Sequence, residues 1–350
     1  MLRSEHGLSK PTRGKTPTIP PAWRENALNI HFQRYFFDIF GMHCNARIYG
    51  YTSTMSPTDL SEPPANDNPT CQVLLAASDP WHWLTHAPDR EIPLLTSVLL
   101  IAKDEYPSLD LPACLARFDS WQAQLQSRLV PGGEVVDSLR ALNHFLFEEL
   151  GFSGNFMDFY DPRNSFLNDV FERKLGIPIS LSVLYVALGR SLGMAVEGVS
   201  FPGHFLVSVA IEGGVIVIDP FQRGKSIGKN ELKLRARAAG ASDEFEESQL
   251  AHWLAPTTHR GILVRMLYNL KASFLERKDT LRALRICHRL VQLTGSDLER
   301  RDRGMLYLEM GAGAAASSDL RHYLNENPKA IDADAVQAAL VQAQMLPRGA

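Results

Sequence analysis

Four side chains in the centre of the sequence have the residue types that acyl-transfer chemistry uses. His204 opens a β-rich run, and Asp219 closes the next such run directly before Pro220. Ser180 and Ser182 begin an apolar segment with helical character. A helix, a His that opens a strand and an Asp that closes the next strand can bring a base and its orienting carboxylate to the amino end of the helix. A nucleophile placed there would gain from the helix dipole.

The same four residues also have purely structural interpretations. His204 and Asp219 can form a buried hydrogen bond that ties two strands together, and Asp before Pro is common in turns. Ser180 and Ser182 are typical capping residues, whose hydroxyl oxygens accept hydrogen bonds from free N–H groups at a helix start. The sequence favours capping for the two serines and orientation of His204 for Asp219.

A second polar group precedes a short predicted helix at residues 167–175. It contains Arg163, Asn164 and Asn168. These side chains either serve the start of that helix or line the same cleft as His204, and the sequence leaves both alternatives open.

Three arginines follow one another at near-helical spacing further along the chain: Arg282, Arg285 and Arg289. They could form a basic patch that binds an acidic peptide, or the solvated face of a helix. No Gly-rich phosphate loop, HExxH motif or cluster of metal ligands occurs in the sequence, so neither a metal nor a cofactor is predicted.

Composition limits the classes of function. The chain has 350 residues, 45% of them hydrophobic and 21% charged, with a net charge of −3. This balance is typical of globular domains and predicts no affinity for nucleic acid. The apolar runs are far shorter than the ~20 residues of a membrane-spanning helix. The four cysteines are widely separated, which favours a reducing, cytoplasmic location over a disulfide scaffold or zinc site.

The hydrophobic pattern places the four central residues in an α+β region between two helical regions. We expect a flexible extension over residues 1–70, a helical and α+β domain over residues 71–256, and an all-helical region over residues 257–350. Within the middle part, a Glu-Gly-Gly turn at 212–214 predicts a hairpin between two strands. The predicted elements there are helices at 94–102, 111–129, 135–150, 167–175 and 180–192 and strands at 194–199, 205–211 and 215–218.

The C-terminal region predicts about two degenerate helix-hairpin repeats and a closing helix. Ala283 and Ala316 are 33 residues apart, and each is followed four residues later by a packing residue. Tyr307, Tyr323 and Pro328 stand where a tetratricopeptide repeat would have them. Two such repeats are marginal by themselves, so we expect them to dock on the central domain. The predicted helices are 262–276, 280–293, 298–310, 314–325 and 333–345.

These motifs resemble the transglutaminase-like superfamily. The segment Arg190-Ser-Leu-Gly193, His204 and Asp219-Pro220 match that superfamily's pattern. The longer motifs starting at Asp161, Gly176 and Phe201 are similar to a bacterial family of the YchA type, also called the invasion-regulator Sir-B type. That family combines a transglutaminase-like domain with tetratricopeptide-like repeats. The resemblance covers residues from about 89 to 328.

The resemblance implies a nucleophilic Cys near position 178, where this sequence has a Pro. A thiol site rarely survives replacement by serine, because a hydroxyl needs a well-placed base and an oxyanion hole. We therefore expect a non-catalytic interaction or regulatory module whose helical repeats bind a protein or peptide. The alternative is an amide hydrolase or acyl transferase that uses Ser180 or Ser182 with His204 and Asp219.

Overall fold

The computed structural model describes residues 69–129, 133–242 and 247–347. The flexible extension predicted over residues 1–70 therefore lies outside the described residues, except for Pro69 and Thr70.

Among the described residues, five α-helices precede the first strand, and the side chain of an Asp caps two of them. Asp79 accepts from the N–H of His82 at the start of α2, and Asp110 accepts from the N–H of Ala113 at the start of α4. The predicted third helix is interrupted, because α5 continues as a π-helical turn over His144–Glu149. The five helices are α1 Pro69–Ala76, α2 Pro80–His86, α3 Leu94–Glu105, α4 Leu111–Gln126 and α5 Val135–Asn143.

The central helix α7, Pro178–Ser191, is buried along nearly its whole length. Its first residue is a Pro, which lacks only an N–H that a first turn leaves unpaired. Gly193 follows it with φ +75°, the left-handed conformation that commonly ends a helix. At Gly189 a Cβ atom would come within 2.6 Å of Val196, so the helix approaches the sheet closely there. Before α7 lie β1 Ser153–Gly154, α6 Leu167–Arg173 and β2 Leu175–Gly176, and β1 pairs with β2 in parallel.

The sheet behind α7 is antiparallel, in the order β3-β4-β5-β6. Val207 of β4 is paired with Ile218 of β5, so the first residues of β4 stand opposite the last residues of β5. The predicted hairpin turn is present, with Gly213 at φ +80°. The strands are β3 Val196–Val199, β4 Leu206–Ile211, β5 Gly214–Asp219 and β6 Lys225–Ser226. This arrangement confirms the predicted α+β class.

In the part of the chain that the structure describes, seven α-helices follow the sheet. The first two, α8 Lys229–Ala238 and α9 Glu247–Trp253, close a small second core against the sheet. The helices α10 and α11 share the main core with the central domain, so the C-terminal region docks on it as expected. Ala283 and Ala316 are fully buried, as repeat packing residues should be. The last five helices are α10 His259–Glu276, α11 Thr280–Thr294, α12 Asp297–Glu309, α13 Gly313–Glu326 and α14 Ala333–Met345.

Candidate functional site

The hairpin of β4 and β5 brings His204 and Asp219 together. His204 lies in the turn that enters β4, where its backbone N–H donates to the carbonyl of Phe201 at 3.0 Å. Asp219 is the last residue of β5. The Nε2 atom of His204 is 3.0 Å from Oδ1 of Asp219, so the predicted pair is formed.

The carboxylate of Asp219 is fully buried and has partners on both oxygens. Oδ1 also accepts from the backbone N–H groups of Phe221 at 3.0 Å and Gln222 at 3.3 Å. Oδ2 accepts from Nη1 of Arg235 at 2.7 Å. Burial opposes ionisation of Asp219, yet the hydrogen bonds and charges of His204 and Arg235 lower its pKa below the usual value. The group is therefore an ionised carboxylate between two cationic or donating side chains, and Nε2 of His204 carries the proton of their hydrogen bond.

Arg235 is the member of this network that sequence reasoning missed. It lies on α8, where Glu231, four residues earlier, accepts from its Nη2 at 2.8 Å. The Glu231–Arg235 spacing indicates a local helical ion pair, and nothing in the sequence signals that the second nitrogen of Arg235 reaches Asp219. We call the group of His204, Asp219 and Arg235 the His–Asp–Arg network.

The other side of His204 faces aromatic residues. Its ring packs edge to face against the ring of Phe221, with ring centroids 6.1 Å apart. The ring of Phe221 in turn packs against that of Phe156, with centroids 4.4 Å apart. Within the described part of the chain, the Asp219 bond is the one hydrogen bond that the imidazole makes, which leaves Nδ1 without a protein partner. The ring is partly open to solvent.

An exposed apolar ridge lies beside this histidine. Phe156 and Met157 are 68% and 96% exposed, and Phe159 and Tyr160 are also exposed. We call these four residues the aromatic ridge. Large apolar side chains that share an exposed surface of this kind are typical of binding sites rather than of inert surface.

Buried amides hold the loop of the aromatic ridge in place. Asn155 accepts from the N–H of Asp158 at 3.1 Å, and its Nδ2 donates to Oδ1 of Asn164 at 3.0 Å. Nδ2 of Asn164 donates to the carbonyl of Asp158 at 2.7 Å. Asn164, predicted as a cleft or binding residue, thus lies under the ridge and fixes its backbone.

Neither predicted serine nucleophile hydrogen-bonds to His204. The Oγ atom of Ser180 accepts from the N–H of Ile177 at 3.0 Å and donates to the carbonyl of Asn164 at 2.6 Å. Ser180 therefore caps α7 and ties the helix start to the loop that carries the ridge. Ser182 is fully buried, and its hydroxyl has no hydrogen-bond partner among the described residues.

The thiols of the described residues do not replace the missing nucleophile. Pro178, at the position where the resemblance places a Cys, is the first residue of α7. Cys71, Cys114 and Cys287 lie in α1, α4 and α11, and none of them hydrogen-bonds to His204. Burial raises the pKa of the Cys287 and Cys114 thiols, which disfavours the reactive thiolate. Cys44 lies outside the described residues.

Neither Arg163 nor Asn168 hydrogen-bonds to His204 among the described residues. The guanidinium of Arg163 pairs with Asp161, which also pairs with Arg173. Burial opposes ionisation of Asp161, but the hydrogen bonds from Arg163 lower its pKa. Asn168 is in the first turn of α6, and its Oδ1 is enclosed without a hydrogen-bond partner in the described residues. Their place in a binding cleft stays a prediction.

The three predicted patch arginines bridge two regions of the chain. Arg282 and Arg285 pair with Glu105 at the end of α3, and Arg289 forms two hydrogen bonds with Asp104, at 2.7 and 3.0 Å. All three guanidinium groups therefore contribute to docking α11 on the N-terminal helices. Binding of an acidic partner at this place stays a prediction.

Two further observations concern the described residues alone. No three side chains of His, Cys, Asp or Glu are grouped there in a way that could hold a metal ion. None of the helices found there is long and apolar enough to cross a lipid bilayer.

Comparison with known proteins identifies the two regions. The profile of the transglutaminase-like superfamily matches residues 112–268, and a tetratricopeptide repeat profile matches residues 270–341. No solved structure gives a significant match. Tetratricopeptide repeats are typical of proteins that bind other proteins. The predicted combination of domains is thereby confirmed.

Several curated proteins are similar to this chain. A UPF0162 protein of Xylella fastidiosa (strain Temecula1) is 40% identical over 262 residues, which cover 75% of this chain and 93% of that protein. F-box only protein 21 of Mus musculus is 41% identical over 103 residues, 27% of this chain and 16% of that protein. Protein SirB1 of Salmonella typhimurium is 24% identical over 239 residues, 66% of this chain and 86% of that protein. The predicted Sir-B-type resemblance is confirmed, and the chain belongs to the UPF0162 family of proteins with a transglutaminase-like domain and tetratricopeptide repeats.

Proposed function

We propose that this protein is a non-catalytic interaction or regulatory module in which the His–Asp–Arg network stabilises the fold. The observation that carries the proposal is the environment of Asp219. Its buried carboxylate is shared between His204 and Arg235, while no nucleophile hydrogen-bonds to the imidazole within the described residues.

The chemistry of acyl transfer supports this interpretation. A triad needs a nucleophile in hydrogen-bond contact with the base, at about 2.6–3.2 Å. The hydroxyl of Ser180 hydrogen-bonds to the backbone of Ile177 and Asn164, and position 178 is a Pro. The start of α7, where the superfamily has its Cys, is thus closed by a cap and by the loop of the aromatic ridge.

The aromatic ridge supports a binding role for the same surface. A rigid loop presents four apolar side chains next to a partly open histidine, which suits a partner with an apolar contact residue. The helical repeats supply a second surface for a protein or peptide. We place the module in the cytoplasm, since the described cysteines are free and widely separated.

Replacement of Phe156 and Met157 by Ser tests the binding role. In a strain that lacks the gene, RNA sequencing defines the transcripts that depend on the protein. The F156S/M157S variant should reproduce the deletion profile at normal cellular abundance, because serine removes the exposed apolar surface. Phe156 also packs on Phe221, so the thermal midpoint of the variant is compared with that of the wild type. The matched control, V215S/L234S, replaces two similarly exposed apolar residues on β5 and α8 and should restore the wild-type profile. Restoration by both variants would contradict the proposal.

A second candidate is the hydrolase or acyl transferase. The observation in its favour is that Asp219 orients His204 through Nε2, while Nδ1 is left without a protein partner in the described residues, as a general base requires. Replacing Ser180 and Ser182 separately by Ala tests it. A variant that folds as well as the wild type and still reproduces the deletion profile would identify a nucleophile and favour the enzyme.

A further inference from the structure

Two histidines on the surface of α2 take no part in the site described above. His82 and His86 are four residues apart on this helix, and both are exposed, whereas Trp81 and Leu84 are buried. Their imidazole rings are neighbours, with centroids 4.2 Å apart and ring planes tilted by 42°. We call these two residues the α2 histidine pair.

A backbone carbonyl fixes the tautomer of His86. Nδ1 of its ring is 2.8 Å from the carbonyl oxygen of His82, which can only accept, so Nδ1 carries the proton and Nε2 of the neutral ring has a free lone pair. Metal-binding histidines have this arrangement, because they donate one ring N–H to a carbonyl or carboxylate and bind the ion through the other nitrogen.

The ring of His82 is available to the same ion. It forms no hydrogen bond with the described residues, so either of its nitrogens can bind a metal. Histidines four residues apart lie on one face of a helix, which is the spacing that zinc-binding helices use. Two nitrogens that share an ion at about 2.0–2.1 Å lie about 3 Å apart. Rotation of the exposed His82 ring gives this distance from the present 4.2 Å between centroids, while His86 keeps its bond to the carbonyl.

The charges next to the α2 histidine pair favour a cation. The carboxylate of Asp79 accepts from the backbone N–H of His82 at 3.0 Å and forms no ion pair with the described residues. The positive charge of Arg260, whose guanidinium binds carbonyls of α2, is offset by Asp89 at 2.8 Å. A bound cation would therefore be attracted by the charge of Asp79.

We propose that the α2 histidine pair binds a divalent ion of the late first-row transition metals, and Cu²⁺ more tightly than the others. One nitrogen of each imidazole would bind the ion. Since no third His, Cys, Asp or Glu joins the pair among the described residues, water would fill the remaining positions. Imidazole suits Cu²⁺, Ni²⁺ and Zn²⁺, and Cu²⁺ forms the strongest complexes in this series.

Calorimetric titration of the metal-free full chain with CuCl₂, ZnCl₂ and MgCl₂ tests this proposal. The chain has 11 histidines, so the readout is the difference between wild type and variants. His82→Ala should weaken binding of one Cu²⁺ at least tenfold, because even loss of a group that supports a metal ligand costs about 10–100-fold in affinity. Zn²⁺ should bind the same site more weakly than Cu²⁺, and Mg²⁺ should not bind it.

His144→Ala is the matched control, since it removes an exposed histidine outside the pair and should leave copper binding unaltered. His82→Ala should keep the wild-type thermal midpoint, because its ring makes no hydrogen bond with the described residues. Electron paramagnetic resonance adds a second readout: the signal of Cu²⁺ coupled to two imidazole nitrogens should be present in the wild type and lost in His82→Ala and in His86→Ala.

Three results would overturn the site. They are copper binding by His82→Ala with wild-type affinity and stoichiometry, an equal loss of binding in His144→Ala, and a wild-type copper signal without coupling to two nitrogens. Tighter binding of Zn²⁺ or Mg²⁺ than of Cu²⁺ would overturn the assignment of the ion.

Discussion

Replacement of Asp219 by Asn should destabilise the protein strongly, because it removes a buried negative charge that two partly buried side chains share. The carboxylate accepts from His204 at 3.0 Å and from Arg235 at 2.7 Å, and it is fully buried. Removing one partner of a buried ion pair costs about 3–5 kcal/mol. The side chains of His204 and Arg235 are each 18% exposed, so we expect a loss in the free energy of unfolding at the lower end of this range, about 3 kcal/mol.

Thermal unfolding followed by circular dichroism measures this effect. For a cooperative unit of about 250 residues, 3 kcal/mol corresponds to a fall in the midpoint of about 6 °C. Glu231→Gln is the matched control. It removes a carboxylate that pairs with the same Arg235 but is solvated, and it should leave the midpoint nearly unchanged.

Equal midpoints for the Asp219→Asn and Glu231→Gln variants would contradict a stabilising role of the buried Asp219 carboxylate. That result would mean that the network adds little to stability, and the positions of His204 and Arg235 would need another explanation, such as selection for chemistry.

Three further predictions concern pH, capping and docking. The pKa of Asp219 is lowered in the folded chain, so its carboxylate stabilises the fold fully above the usual pKa of 3.8, and this effect is lost as the pH falls through the lower pKa of the folded chain. The difference in the free energy of unfolding between wild type and Asp219→Asn should therefore shrink on acidification below about pH 4. Urea titrations at several pH values measure this difference. Ser180→Ala should cost about 1–2 kcal/mol through loss of the cap, whereas Ser182→Ala should leave the urea midpoint unchanged or higher, because its hydroxyl has no hydrogen-bond partner in the described residues. A double-mutant cycle of Asp104→Asn and Arg289→Met should give a coupling energy of about 1 kcal/mol, and additivity would show that this pair does not help to dock α11.

The sequence predicts the elements whose side chains repeat with a clear period. The helix α7 and the β4–β5 hairpin were expected within two residues of their observed ends, because long apolar runs and a Gly-Gly turn mark them. The helix α8 was missed, since Lys229–Ala238 is mostly polar and has few buried residues to reveal its face.

In the site, too, contacts within one hairpin could be predicted from the sequence, whereas contacts between distant elements could not. The pairing of His204 with Asp219 could be predicted, because a hairpin register joins them. The roles of Arg235 and the aromatic ridge could not be predicted from the sequence, because they depend on how α8 and the loop at 155–160 fold back over the hairpin. The capping role of Ser180 was favoured from its position, but its bond to Asn164 is a tertiary contact.

Replacement of His204 by Gln tests most directly whether this histidine serves structure or chemistry. The amide nitrogen of Gln can still donate to Asp219 but cannot act as a general base at neutral pH. If His204 serves structure alone, a strain carrying His204→Gln, at wild-type protein abundance and thermal midpoint, has the wild-type transcript profile. A transcript profile that matches the deletion strain under those conditions would contradict it.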